Sequence, residues 1–392
     1  MSKPVNMSPF NGVFYDKAGN LHDLTELKFG GGNGGGGKPD TDPLIDPAVL
    51  DGVFGDGVFD AEQVTITPFG TTLLGTELYN GGVYVEDGKV VVIPFQANNC
   101  MLIDVNALTT TTFGTYMSGS VKFVGGVYVG DGKVVAILHS ASQPALINVN
   151  TLTIAPFGAV TSASNKYYGG VYIGNGKVVA IPSRAIQPAL IDVNALTITP
   201  FGAMIGGSAQ YYGGVYVGDG KVVAIPYSAS QFALINVNTL TIAPFGAVNS
   251  ASNKYYGGVY IGNGKVVAIP YSASQPALID ANALTITPFG LENSASGKYY
   301  GGVYIGNGKV VAIPYNASQP ALIDANALTI TPFGAEIGGN AAYASGVYAG
   351  NGKIVAIPYH ASQPALIDLG PSYRPAKPLS EAALLSAWFN KL

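Results

Sequence analysis

Apolar and polar residues alternate in short runs along most of the chain, and the runs are broken at regular intervals by turn-forming pairs. From Gly257, "GGVYIG" leads into Asn263-Gly264, then "KVVAIPY"; a Ser-Ala-Ser-Gln-Pro loop leads to "ALID", and an Ala-Asn-Ala turn leads to "LTITPF". The Leu-Thr-Ile-Thr alternation has the period of a strand, and Asn-Gly suits the two positive φ values of a type I′ hairpin turn. The pattern predicts four antiparallel strands in a meander, called A, B, C and D below.

The same text recurs every 44 residues. The Gly-Gly-Val-Tyr segment starts at Gly81, Gly125, Gly169, Gly213, Gly257 and Gly301, and again at Ser345 with Ser for the first Gly. Phe-Gly keeps the same register from Phe69 to Phe333, giving seven copies without insertion or deletion. Four strands in a repeat of this length make one blade of a β-propeller. The ends of the array point to a closed ring. An isolated D-type strand, Val64 to Phe69, precedes the first A strand, and the last copy stops after its C strand, Ala365 to Asp368. An open solenoid gains nothing from that offset, whereas in a ring the N-terminal strand completes the last blade. The expected fold is therefore all-β: a seven-bladed propeller of four-stranded antiparallel blades, latched by its N-terminal strand, with a short C-terminal helix.

Outside the ring, 1–28 reads as a separate N-terminal segment containing a hairpin, Val13-Phe14-Tyr15 and Leu21 to Leu24 around Gly19-Asn20. Residues 29–63 read as a Gly-rich linker, 64–370 as the propeller and 371–392 as a tail. In the tail Ser380 is a candidate N-cap, and Ala383, Leu384, Ala387 and Trp388 make the apolar stripe of an amphipathic helix that would pack on the ring or a neighbouring subunit.

Composition fits this outline. The 53 glycines and 24 tyrosines suit a β-protein with many tight turns, and only 11% of residues are charged, against about 25% in ordinary soluble domains. A net charge of −4, with no basic stripe among the 19 Lys and Arg, argues against a nucleic-acid partner. No stretch has the length of unbroken apolar sequence that a membrane span requires, and the N-terminus carries no apolar core of a secretion signal. With Cys100 as the single cysteine, no intramolecular disulfide forms.

Candidate chemistry is sparse. The seven tyrosines of the Gly-Gly-Val-Tyr copies, Tyr84 to Tyr348, read as packing between blades, and the seven turn lysines, Lys89 to Lys353, as a solvated positive circle. His139 and His360 fall two blades apart around the ring, too far for the converging ligands of a metal site, and Asp40, Asp42 and Asp46 lack calcium-loop spacing. Near-identity of the copies argues against a catalytic centre, which needs neighbours with different pKa values. No catalytic residue, metal or cofactor is expected.

The copies do differ, and on one face. The A–B turns hardly change, while the D-to-A crossings and the B–C loops vary and are rich in Tyr, Asn, Gln, Ser and Lys. That mixture suits recognition of a sugar or a protein partner; neutral drift in exposed loops produces the same variability. Candidate ligand-binding residues on the crossings are Lys166, Tyr167, Gln210, Tyr211, Lys254, Tyr255 and Tyr299. On the B–C loops they are Arg184, Gln187 and His360. As surface residues, Tyr255 and Tyr299 should tolerate alanine with the fold nearly intact.

The repeat "GNGKVVAIPYSASQPALIDANALTITPFG" resembles a kelch-like propeller repeat, and "MSKPVNMSPFNGVFYDKAGNLHDLTEL" resembles the docking segments that open tail-fibre and other virion proteins of tailed phages. The resemblance implies a non-enzymatic virion protein whose disc is a multivalent binding module for a host-surface glycan or protein. Its partners would be other virion proteins, met through 1–28 and the C-terminal helix in a homo-oligomeric assembly, with no nucleic acid and no membrane. A purely structural virion component is the alternative, and a propeller glycosidase or lyase the third reading.

Overall fold

The computed structural model describes residues 13–15, 21–23 and 59–373, apart from 115–118, 120, 161–164 and 206–208. Seven four-stranded antiparallel sheets stand around a common axis. Their innermost A strands, which number the blades one to seven, are Tyr79–Glu86, Phe123–Gly130, Tyr167–Tyr172, Tyr211–Gly218, Tyr255–Gly262, Tyr299–Gly306 and Tyr343–Tyr348. In the first blade Lys89–Pro94, Cys100–Asp104 and Thr109–Phe113 follow as B, C and D, and the other blades repeat this order. In the seventh, the D strand is Thr65–Pro68, which pairs antiparallel with Ala365–Asp368 in the register Thr65↔Asp368 to Pro68↔Ala365. The expected latch is thus in place.

Three local rules build each blade. First, the A–B hairpin turns as Asn-Gly dictates: Asn263 and Gly264 have φ of 52° and 71°, both in the left-handed region. The Tyr of Gly-Gly-Val-Tyr then ties the turn to the core. In every blade its hydroxyl accepts the N–H of the turn glycine, at 3.0 Å for Tyr84 and Gly88.

Second, the B strands carry the core. Val266, Val267, Ala268 and Ile269 are fully buried, as are their counterparts in other blades, because both sheet faces are covered by neighbouring blades. Third, the paired glycines let seven A strands crowd around one axis. A Cβ on Gly81 would lie 2.9 Å from the Cα of Gly125 in the next blade, and one on Gly82 would lie 2.7 Å from Ile357 Cδ1 in the previous one. The glycines line a narrow axial cavity of about 180 Å³.

Ring packing extends past 64–370 at both ends. Phe59 stands edge-on to Phe333 with centroids 5.0 Å apart, and Tyr373, in the short 3₁₀ turn Pro371–Tyr373, is 1% exposed. At the N-terminus the expected hairpin forms, Val13–Tyr15 pairing with Leu21–Asp23. The Gly-rich stretch Gly30 to Pro43 and the C-terminal helix proposed beyond Ser380 lie outside the described residues. No described helix is long and apolar enough to cross a membrane.

Candidate functional site: the tyrosine-lined mouth of the channel

The variable face divides into two layers, because consecutive residues of a strand point to opposite sides. At the start of each A strand the first residue of the pair enters the core between blades. Tyr167, Tyr211, Tyr255 and Tyr299 are 5%, 4%, 8% and 5% exposed, and burial raises their hydroxyl pKa values, to about 12 for Tyr167, Tyr211 and Tyr255. The second residue turns to the axis, where seven copies meet.

Those seven inner positions are Asn80, Val124, Tyr168, Tyr212, Tyr256, Tyr300 and Ala344. The residue that follows each Ile-Pro (Ile-Leu in the second blade) forms an outer ring: Phe95, His139, Ser183, Tyr227, Tyr271, Tyr315 and Tyr359. The rings interlock. Tyr212 stacks between Tyr168 and Tyr227, with centroids 3.8 Å from each, and Tyr300 stacks on Tyr315 at 5.1 Å. The Tyr168 and Tyr300 hydroxyls, three blades apart, hydrogen-bond to each other, and Asn80 Nδ2 donates to the Tyr300 hydroxyl at 2.9 Å. An aromatic plug therefore closes this end of the channel. Its outer rings, Tyr227, Tyr271, Tyr315 and Tyr359, remain half-buried and offer ring surface to solvent.

Two places on the rim depart from the repeat. Where blades seven and one meet, Glu77 collects polar partners: Gln96 Nε2 donates to its Oε2 at 2.6 Å, and His360 Nε2 lies 3.6 Å from its Oε1; burial and the Glu77 charge together raise the Tyr359 hydroxyl pKa. The His360 ring lies parallel to that of Tyr359, 5.2 Å away. Around blades two and three, His139, Ser183 and Arg184 replace the usual Tyr-Ser. Burial, with Lys166 and Arg184 nearby, pulls His139 down to about 4, so its ring is neutral at physiological pH.

Six of the ten residues expected to bind ligand are not at the surface, which corrects their placement. Tyr167, Tyr211, Tyr255 and Tyr299 are core residues. Lys166 and Lys254 are 4% and 2% exposed, and their ammonium groups stitch loops together: Lys166 Nζ donates to Ala141 O at 2.9 Å, and Lys254 Nζ to Ala229 O at 2.7 Å. Lys298 does the same with Ala273 O, and burial lowers its pKa to about 8. Gln187 is half-buried and bonds Gly202 O, a link repeated by Gln143, Gln231, Gln275, Gln319 and Gln363. Gln210 is half-buried in the slot the lysines fill elsewhere, Arg184 is exposed and His360 stands at the mouth.

Sequence reading missed the second tyrosine of each pair, the outer ring and Glu77. A signal was present: at the inner position Asn80, Val124 and Ala344 interrupt the tyrosines, while the preceding position stays aromatic throughout. Among the described residues no cluster of His, Cys, Asp and Glu is fit to hold a metal ion.

No family model matches the chain, and no curated protein matches it in sequence. Solved structures do share the fold. A virginiamycin B lyase from Staphylococcus aureus has a TM-score of 0.64 at 14% identity, over 78% of this chain and 99% of that one. YCF48 bound to D1 peptide gives 0.60 at 10% identity, over 80% and 98%. The extracellular domain of a two-component system protein from B. thetaiotaomicron gives 0.56 at 12% identity, over 78% of this chain and 42% of that one. Likeness at this identity shows a seven-bladed propeller. It also corrects the expected function: a ring shared with streptogramin B and virginiamycin B lyases as well as with YCF48 gives no ground for reading a phage-particle, non-enzymatic role from the repeat.

Proposed function

We propose that this propeller binds a small organic molecule at the tyrosine-lined mouth of its axial channel, at one asymmetric site on the ring. The observation that carries this reading is where the copies cease to be equivalent. Glu77, Arg184 and His360 reach the surface around the mouth, above the buried departures Asn80, Phe95, His139 and Ser183, so an aromatic floor is flanked by a carboxylate and an imidazole on one side and a guanidinium on the other. Exposed ring faces with a few convergent polar groups suit a ligand that stacks and is then oriented.

Titration of small aromatic compounds by calorimetry, with Tyr271→Leu and Tyr315→Leu beside the unmodified chain, tests the site. Binding lost in both variants at unchanged melting temperature supports it; equal binding in all three proteins sinks it.

A second reading, as a lyase, draws on the Glu77–His360 contact. A carboxylate beside an imidazole is the arrangement of a general base and the group that orients it. The solved lyases of this fold include an inactive His-to-Ala variant bound to quinupristin. Incubation with quinupristin, followed by mass spectrometry, should give new products that the His360→Ala variant does not form. Unchanged quinupristin counts against this substrate class.

A further inference from the structure

The polar group on the seven–one side of the mouth indicates what charge the ligand carries. His360 and Tyr359 lie with their rings 9° from parallel, and the far nitrogen of the imidazole faces Glu77 at 3.6 Å. A flat heterocycle that becomes a cation on protonation thus already occupies the space between a tyrosine face and a carboxylate. The neighbouring Tyr315 ring is 5.8 Å from that of Tyr359 and inclined by 46°, near enough for its hydroxyl to feel the Glu77 charge. Aromatic faces attract a cation within about 6 Å of the ring centre, and the attraction grows where water is partly excluded. Both rings are half-buried and Glu77 is about one-third exposed, at 36%, so a ligand can reach them.

The positive groups of this face stand elsewhere or are spoken for. Arg184 and His139 belong to blades two and three, and the Lys122, Lys254 and Lys298 ammonium groups each donate to two backbone carbonyls. Among the described residues, the basic group paired with Glu77 is His360, held on the surface by a contact longer than a hydrogen bond. A neutral polyol stacked here would leave the carboxylate without a counter-charge.

We infer that the ligand of the mouth carries an organic cation, a quaternary ammonium or a protonated amine, which displaces His360 and sits between Tyr359 and Glu77. This rests on the mouth being the ligand site. The Gln96 bond to Glu77 holds the carboxylate in place, and the cation meets the Tyr359 face on its other side.

Calorimetry with choline and with its neutral isostere 3,3-dimethylbutan-1-ol, on the full chain, tests the inference. Choline should bind, and the isostere should bind about tenfold or more weakly. Glu77→Gln should weaken choline about tenfold, and Tyr359→Leu, which removes the ring face, should weaken it comparably. Melting curves of both variants confirm that the fold is kept. Equal binding of choline and the isostere overturns the inference, as does choline binding that ignores Glu77→Gln. If indole binds at the mouth while choline does not, the cation is wrong and the site stands; if neither indole nor choline binds, both fail.

Discussion

Tyr255 and Tyr256 are chemically identical neighbours in one strand, and they answer to different constraints. Tyr255 packs between two blades and is buried like its counterpart in every copy, so the position stays Tyr or Phe in all seven. Tyr256 points to the axis, where its neighbours are the same position in other blades: Tyr168, Tyr212 and Tyr300. A repeat can be copied wherever each copy meets a different neighbour. It cannot be copied where all copies meet one another, because seven tyrosines do not fit one axis. Asn80, Val124 and Ala344 are what makes the plug close.

The largest expected effect belongs to the core layer as a whole. Burial raises the hydroxyls of Tyr79, Tyr167, Tyr211, Tyr255 and Tyr343 to about 12, against about 10 in an unfolded chain. A pKa raised in the folded state means stability that is complete below about 10 and lost as pH rises towards 12. The protein should therefore unfold cooperatively in that window, with tyrosine ionisation seen by ultraviolet absorbance coinciding with loss of the β-sheet circular dichroism signal. Ionisation that runs ahead of unfolding would place these hydroxyls in contact with water.

Next in size is the single residue. Tyr255→Ala should cost about 3–5 kcal/mol, as for other large aromatic truncations in a packed core, read from denaturant melts. A loss under about 1 kcal/mol would return Tyr255 to the surface, where a solvent-exposed substitution has little effect.

The axis gives the sharper contrast. Ala344→Tyr makes the seventh copy match the majority, and substitution towards the commonest residue ordinarily stabilises. Here it should destabilise by about 1–3 kcal/mol, because Ala344 is 1% exposed among rings already in contact. A stabilised variant would mean that the mouth has room, and that divergence there does not come from packing.

That contrast explains what was legible in the sequence. The 44-residue period, the Asn-Gly turns and the missing final D strand are local or sequential signals, and they specify the blades and the latch. Which member of Tyr255-Tyr256 faces the core depends on the bulge at the paired glycines, where the pairing shifts between Tyr255↔Pro270 and Gly258↔Ala268, and strand alternation alone does not set it. The lysine ahead of the pair looked like surface chemistry. Its ammonium instead satisfies loop carbonyls that the curl of the chain brings together, as with Lys254 and Ala229 O at 2.7 Å. The Glu77–His360 contact joins residues from opposite ends of the array, and only ring closure makes them neighbours.

The smallest expected effect tests the axis atom by atom. Three inner-ring groups, Asn80, Tyr168 and Tyr300, share hydrogen bonds, but the buried Tyr256 hydroxyl has no partner within reach. Removing a polar atom that is desolvated without compensation should be neutral or stabilise by up to about 1 kcal/mol, so Tyr256→Phe should melt at or slightly above the unmodified protein. Tyr300→Phe removes an acceptor that Asn80 uses, and should cost about 1 kcal/mol. The two substitutions delete the same atom from adjacent copies of one repeat, so a difference in sign between them measures how far the axis has broken the equivalence of the blades. A loss from Tyr256→Phe as large as from Tyr300→Phe would show that the Tyr256 hydroxyl is satisfied in solution, and that the plug is a hydrated network rather than a dry one.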